Sequence, residues 1–540
     1  MSKRFVPIFI LNAVAFLSLF ALPAWSTIDR VSVMDFGAAG DGKTDDTAAV
    51  QAAVDALGKA GGTIEFPLGT YVIGSVNIRE GLTLLGHGAV IRKKDSAGKW
   101  SRTFTTQTAG YRYSGDELSR PLVIRGLTFD GNRLSQGPYT KYELEQAHMI
   151  FLNADSSKSG RLQAIVEDCF FHDCVADAVS VHTNVSLKMS NCTATNVFRG
   201  ALVMTGGYSD IQVNNLSAGG NVHVTGIDAE VDSPGYNGSY KVDIQLNNLD
   251  LAGDFDIGIK DGSSLLAGNI RCLGSPFNLY AADASVRISN SSFGVGAYSG
   301  KGNRIVSPKD VTFSNCTFYA VRGEAEAGEK FAPLHVYWNI GTGTRSGQRL
   351  KLQGCDFRIG KGIKPEDTAY AVYAEADKAE RDNRLILSNC SIEAGYKYGV
   401  WLNLGGNLLL SDVDVDADTA FYFGSSNGYL FDILLENISL GKGVKTAAVI
   451  PASIPENIVT HRNVELDDYQ NVLTSSYGLA RNTYRGGRII RGSVPPKTTP
   501  GLLGDIYRLN NPVAGQNYEW ICTASSHSAA VWKPLTAVGQ

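Results

Sequence analysis

Asp228, Glu230 and Asp232 alternate through Ile227-Asp228-Ala229-Glu230-Val231-Asp232. In an extended strand that spacing puts three carboxylates on one face, with successive Cα atoms about 7 Å apart. Two such groups can divide acid and base work, and three hard oxygen donors suit Ca²⁺. His182 supplies an imidazole, Arg199 and Lys260 supply cations, and His223 stands just before the acidic strand. Acid, base and cation together fit two reactions. One removes a proton beside a carboxylate that a cation neutralises; the other hydrolyses a glycoside with carboxyls about 6.5 to 9.5 Å apart.

These residues share a surface only if successive segments stack in register, and a repeat predicts that they do. Five cysteines follow a turn residue: Asp168-Cys169, Asn191-Cys192, Asn315-Cys316, Gly354-Cys355 and Asn389-Cys390. The same phrase recurs without cysteine as Asn215-Leu216, Asn248-Leu249, Asn290-Ser291, Asp412-Val413 and Asn437-Ile438. Starts at Asp168, Asn191 and Asn215 are 23 and 24 residues apart, and those at Asn389, Asp412 and Asn437 are 23 and 25 apart. That period, with short β-branched runs and Gly/Asn/Asp turns, reads as one rung of a parallel β-solenoid. Stacking about 4.8 Å apart makes the cysteines an inward column of buried thiols, with one or two inter-rung disulfides as the alternative, and ladders the asparagine amides at the turns.

Four strands superpose on this frame. Val179, Val181, Leu202, Met204, Ala229, Val231, Ile257 and Ile259 point inward. Ser180, His182, Val203, Thr205, Asp228, Glu230, Asp232, Gly258 and Lys260 then point outward, with Arg199 and His223 flanking the groove. The loop from Ser135 to His148, with Tyr139, Tyr142, Glu143 and Glu145, is expected to wall it. His335, Tyr337, Trp338 and Trp401 fall on later rungs, as packing or as secondary subsites.

The 540 residues are 44% hydrophobic and 19% charged, with 59 glycines, so a core is affordable and disorder is excluded. A formal charge of -4 with no basic stripe argues against a nucleic-acid partner. Two positive charges in Ser2–Arg4, an apolar run from Phe5 to Leu22 and small residues around Ala24-Trp25-Ser26 read as a signal peptide over 1–26, with an uncleaved anchor as the alternative. A secreted or periplasmic bacterial protein is expected, with no membrane association beyond that segment.

The opening residues Val33-Met34-Asp35-Phe36-Gly37-Ala38-Ala39-Gly40-Asp41-Gly42-Lys43-Thr44-Asp45-Asp46-Thr47 lead into a helix and then Gly61-Gly62-Thr63-Ile64-Glu65-Phe66-Pro67-Leu68-Gly69-Thr70-Tyr71. Thr44 or Asp45 is the expected cap, and Ala48, Val50, Ala52, Val54 and Leu57 the expected apolar side. This stretch resembles the start of the pectate-lyase superfamily, shared by polygalacturonase-like hydrolases, alginate C5-epimerases, polysaccharide lyases and tailspike depolymerases. The resemblance is close over residues 31 to 95 and continues as rung periodicity to about 470. It implies an all-β, right-handed parallel β-helix with an N-terminal capping helix, and a carbohydrate-polymer substrate. The expected division is 27–95 cap and first rungs, 96–470 β-helix, 471–491 linker and 492–540 a small C-terminal β module around Trp520 and Trp532.

On that scaffold the outward column implies a lyase cleaving a uronate-containing exopolysaccharide or capsule by β-elimination. His182, Asp228, Glu230 and Lys260 are the expected catalytic set, and Arg199, His223, Asp232, Tyr139 and Tyr142 the expected substrate-binding set. Either no cofactor is needed, or Ca²⁺ on Asp228, Glu230 and Asp232 neutralises the substrate. The alternatives are an inverting hydrolase and a non-catalytic glycan-binding, adhesion or polymer-export β-helix. The acidic residues that flank the epimerase histidine are absent around His182, where Ser180, Val181 and Thr183 stand; the Asn-Thr-Asp phrase of polygalacturonases is absent too. The β-helix is expected as a monomer or a homotrimer.

Overall fold

The computed structural model describes residues 29–106, 120–137, 143–154, 161–219, 225–230, 241–260, 262–273, 277–294, 303–320, 333–338, 347–360, 370–376, 382–403, 406–424, 432–449, 458–466, 473–474, 489–497, 506–510, 517–524 and 531–537. The expected signal segment, Tyr139, Tyr142, His223, Val231 and Asp232 lie outside the described residues. Among the described residues no helix is long and apolar enough to cross a membrane.

The chain winds as a right-handed parallel β-helix. One face is a sheet of short strands, 15 among the described residues, running from Val76–Asn77 to Leu473–Thr474. The rest of each coil belongs to a bent sheet whose strands pair in parallel as far as Ile506–Leu509. What bends it is one left-handed residue per rung. In the strand Val185–Thr195, Val185, Leu187 and Met189 are buried, Asn191 takes φ 53°, and burial then resumes at Cys192 and Ala194. The left-handed residue turns the strand and moves the in/out alternation by one position. All ten turn residues of the sequence repeat, from Asp168 to Asn437, have φ between 49° and 61°. Asparagine and aspartate tolerate this region because their short side chains bond locally, and here they ladder. Asn191 donates to Asp168 Oδ1 at 3.1 Å, Asn215 to Asn191 at 2.9 Å and Asn248 to Asn215 at 3.1 Å.

The interior is one continuous hydrophobic core, including the rings of Phe277, Phe293, Phe313, Phe318 and Phe357 in successive contact. All eight cysteines are free and buried. Trp338 is fully buried in this core, so it is a packing residue and not an outer subsite.

The helix Thr47–Ala56 packs at the N-terminal end against the 3₁₀ turn Val33–Phe36 and the strand Val76–Asn77. Its buried side is Val50, Ala53, Val54 and Leu57; Ala48 and Ala52 are exposed, because the helix lies on the coil along a stripe one residue round from the expected one. Asp46 occupies the cap position, but its carboxylate instead accepts from the Ala39 and Gly40 amides at 2.6 and 3.3 Å. At the other end Ile489–Gly492 continues the bent sheet beside Ile458–Leu466. After Ile506–Leu509 the antiparallel strands Asn517–Ala524 and Val531–Ala537 close it. Tyr507 and Trp520, with Trp532 against them, form a small core of their own.

Replacing Asn215 tests the turn. Asn215→Val and Asn215→Gly both remove the two ladder bonds, but only valine puts a β-branched residue at φ 56°, so the valine variant should be less stable than the glycine variant by about 1 to 2 kcal/mol. Equal urea midpoints for the two variants would rule out the conformational argument.

Candidate active site

The short-strand sheet carries one outward file of residues from rung to rung. Phe151 pairs with Ser180, Ser180 with Val203, Val203 with Asp228, Asp228 with Asp256 and Asp256 with Asn278. The next outward position brings Glu230 opposite Gly258. His182 follows the strand Val179–Val181, so it stands two rungs from Glu230, roughly 10 Å along the sheet. The glycine at 206 permits this: a Cβ there would sit 2.5 Å from the Thr183 amide nitrogen, against the backbone that carries His182.

Loop and turn residues complete the site. Asp177, 1% exposed, lies 2.9 Å through Oδ2 from His148 Nδ1, whose side chain is 2% exposed. Its other oxygen is 3.6 Å from Arg199 Nε and accepts from the Gly200 amide at 3.2 Å. Arg199 also donates to the Glu145 carbonyl at 3.2 Å, tying the 143–148 segment to the sheet. The guanidinium of Arg102 lies 3.4 Å over the Phe151 ring, which in turn is 4.4 Å from the His182 ring and 5.6 Å from that of His148.

These neighbours set the protonation states. Burial pulls Asp177 upward, yet His148, Arg199 and the Gly200 amide together hold it below the ordinary carboxylate range, so it is a fixed anion. His182 is pushed down to about 3, first by burial and then by His148, Arg102 and Arg199, with Asp177 opposing; burial also pulls His148 below the ordinary imidazole range, so the standing positive charges here are the two guanidiniums. His182 is therefore a neutral imidazole. Asp228 is pushed up to about 8, first by burial and then by Glu230, Asp256 and Asp177, against Arg199. It is a carboxylic acid at neutral pH. Arg199 is held above its ordinary value by Asp177, Glu230, Asp228 and Glu145, despite burial, and is the cation around which the carboxylates gather.

Of the expected residues, the structure thus brings together His182, Arg199, Asp228 and Glu230. Lys260 lies on the same face one rung beyond Glu230, opposite Ala282, and the cation acting on Asp228 is Arg199. Ser180 and Val203 face outward in register but are buried, each 1% exposed, beneath the packed site. Arg102, His148, Asp177 and Asp256 were not foreseen. Asp256 could have been found by extending the alternation two residues back from Gly258; the other three lie outside the repeated strand positions. With Asp232 outside the described residues, Asp228 and Glu230 remain from the expected calcium set. Among the described residues the three close donors are Asp130, His172 and Asp173 on the bent sheet. Their carboxylates are already engaged, Asp130 by Arg92 at 3.6 Å and Asp173 by Asn196.

Residues 30–228 match the family described as Rhamnogalacturonase A/epimerase, pectate lyase-like, so the resemblance read from the opening residues holds over that stretch. Alginate lyase 7 of Azotobacter vinelandii is 39% identical over 114 residues, and mannuronan C5-epimerase AlgE3 of the same organism 38% over 114. Each match covers 19% of this chain, and 13% and 6% of those proteins respectively. The A-module of mannuronan C-5 epimerase AlgE6 from that organism superposes with a TM-score of 0.45 at 16% identity, covering 83% of this chain and 100% of the module.

Two outcomes test the electrostatics. Asp177→Ala leaves His148 and Arg199 without their buried anion and is expected to cost about 3 kcal/mol in unfolding free energy. His182 has a folded pKa below its unfolded value of 6.5, so on acidification the unfolded chain binds that proton first. Its contribution is present above pH 6.5 and lost as pH falls toward 3; His182→Gln should flatten stability against pH in that window, and an unchanged slope would refute the assignment.

Proposed function

We propose that the protein is a polysaccharide-active enzyme that abstracts the C5 proton of a uronate residue and completes β-elimination. The observation that carries this reading is one face of the short-strand sheet on which nearby rungs set His182 and Asp228, with the Arg199 guanidinium acting on both. Arg199 meets the substrate carboxylate and lowers the acidity barrier at C5. His182 takes the C5 proton, the C4–O4 bond breaks as the C4=C5 double bond forms, and Asp228 gives its proton to O4. The low basicity of His182 in the free protein comes from burial and from surrounding positive charge. A uronate carboxylate entering beside Arg199 offsets the charge and raises the imidazole toward working range. Lys260, on the next rung of the same face, would be the second cation for a neighbouring sugar carboxylate. The relatives named for alginate lysis and mannuronan epimerisation support uronate chemistry. An acidic exopolysaccharide or capsule outside the cytoplasm is the fitting polymer.

A second reading, glycoside hydrolysis, is favoured by the protonated state of Asp228 next to Glu230 and Asp256, an acid beside two further carboxyls. Incubating the protein with alginate, polygalacturonate and neutral glucans separates the two. The expected result is ultraviolet absorbance of unsaturated uronate rising together with reducing ends. Reducing ends alone would establish hydrolysis, C5 inversion by NMR without cleavage would establish epimerisation, and silence in all three would sink the enzymatic reading. Activity should fall as pH rises through about 8, where Asp228 loses its proton, and Asp228→Asn should lower kcat by about 10²- to 10⁴-fold. Arg199 as the neutralising group predicts turnover that survives chelation; loss on chelation would assign the role to Ca²⁺.

A further inference from the structure

The outward file that contains Asp228 and Asp256 continues through Asn278, Arg304, His335, Tyr373, Trp401 and Tyr422. Tyr370 and Tyr398 pair beside it, and Glu375 pairs with Tyr337 and Asn403 on its other side. Outward positions on a solvated sheet are polar by default, so a run of partly exposed rings on consecutive rungs needs a reason. The coil interior does not supply it. Val336, Trp338, Val372, Ala374, Val400, Leu402, Phe421 and Phe423 already fill the core of the same strands.

The rings form one surface. Tyr370 stacks on Tyr373 at 5.0 Å and on Tyr398 at 6.0 Å, and Trp401 lies 4.5 Å from Tyr398 and 4.1 Å from Tyr422. Gly424 borders the indole, where a Cβ would come 3.1 Å from Trp401 Nε1. Polar groups fix the near end: His335 Nε2 is 2.8 Å from Glu375 Oε1, and Tyr373 donates to Glu375 Oε2 at 2.9 Å. Cations border it, with the Arg304 guanidinium 5.4 Å from the Tyr337 ring and Lys397 Nζ 5.1 Å from the Tyr398 ring.

We infer that this strip is a second carbohydrate-binding surface, which holds the polymer engaged at Asp228 at a point remote from the reacting bond. Trp401 stands six strand steps from Asp228 on the same file, about 29 Å. Ring faces stack on the apolar faces of sugars, and Arg304 and Lys397 meet carboxylates. The identity of the polymer as a uronate rests on the reading above; the existence of the strip as a glycan surface does not.

The test is affinity electrophoresis of the full chain in gels containing alginate, with dextran as the neutral control, comparing the wild type with Trp401→Ala, Trp401→Phe and Arg304→Gln after checking each fold by circular dichroism. Alginate should retard the wild type, and Trp401→Ala should weaken binding about three- to tenfold, with Trp401→Phe intermediate. Arg304→Gln, which leaves the ring cluster in place, should weaken binding to alginate and make it less salt-sensitive. Wild-type retardation that survives Trp401→Ala and Arg304→Gln alike would overturn the inference, and so would a wild type that neither gel retards. Binding lost in the variants, with no turnover by the wild type, would leave the strip standing and remove the proposed reaction. Turnover with binding indifferent to Trp401 and Arg304 would do the reverse.

Discussion

In-register hydrogen bonding between parallel rungs fixes everything else in this molecule. It holds equivalent residues about 4.8 Å apart, so residues far apart in sequence become immediate neighbours whether or not their side chains are compatible. Asp228 and Asp256 are paired in this way, 28 positions apart in the chain. Left to side-chain preference, two carboxyls would separate or each find a cation. The sheet gives them no such freedom, and burial, with Glu230 and then Asp256 alongside, keeps Asp228 protonated at a pH where an exposed aspartate is ionised. The same stacking lets asparagines ladder at the bends and phenylalanines stack in the core, so one geometric rule yields both the stability of the coil and the chemistry of its face.

The charge arrangement around that neutral acid depends on Asp177. A buried anion without partners would be expelled or protonated; here Arg199, His148 and the Gly200 amide converge on it. Arg199 is thereby held where it also acts on Asp228 and Glu230. Burial, helped by the positive charge of Arg102 and Arg199, in turn keeps His182 neutral. Each perturbed group owes its state to a different balance of burial and neighbours, which is how a neutral imidazole and a protonated carboxyl can coexist on one sheet face at one pH.

The coil was legible because it repeats. A left-handed turn followed by an inward cysteine or aliphatic residue marks each rung, and the side chains on either side keep a period of two; all ten repeat residues from Asp168 to Asn437 occupy the predicted turn. His182, Asp228 and Glu230 were legible for the same reason, since they occupy alternate outward positions relative to Val181 and Ala229. Arg102, His148 and Asp177 sit at segment ends, where no period operates, and nothing in Asp177-Ala178-Val179 distinguishes a buried charge anchor from a surface turn. The helix stripe failed at Ala48 and Ala52 because alanine carries too little apolar surface to mark a face, and Ala53 was equally eligible.

The acidic and aromatic stretches of the file make sense together when the ligand is an anionic polymer. Glu230 and Asp256 would repel a uronate at the reacting centre, and although the neutral state of Asp228 removes one charge and Arg199 offsets another, local attraction is limited. Contacts distant from the reacting sugar carry no such penalty. Rings stack on apolar sugar faces regardless of carboxylate charge, and on the proposed reading their contribution would reach the reaction through the continuity of the polymer. A β-helix suits this division because its face repeats along a straight axis as a polysaccharide does. The file can therefore change from acid to aromatic over the rungs from Asp228 to Trp401 without changing direction.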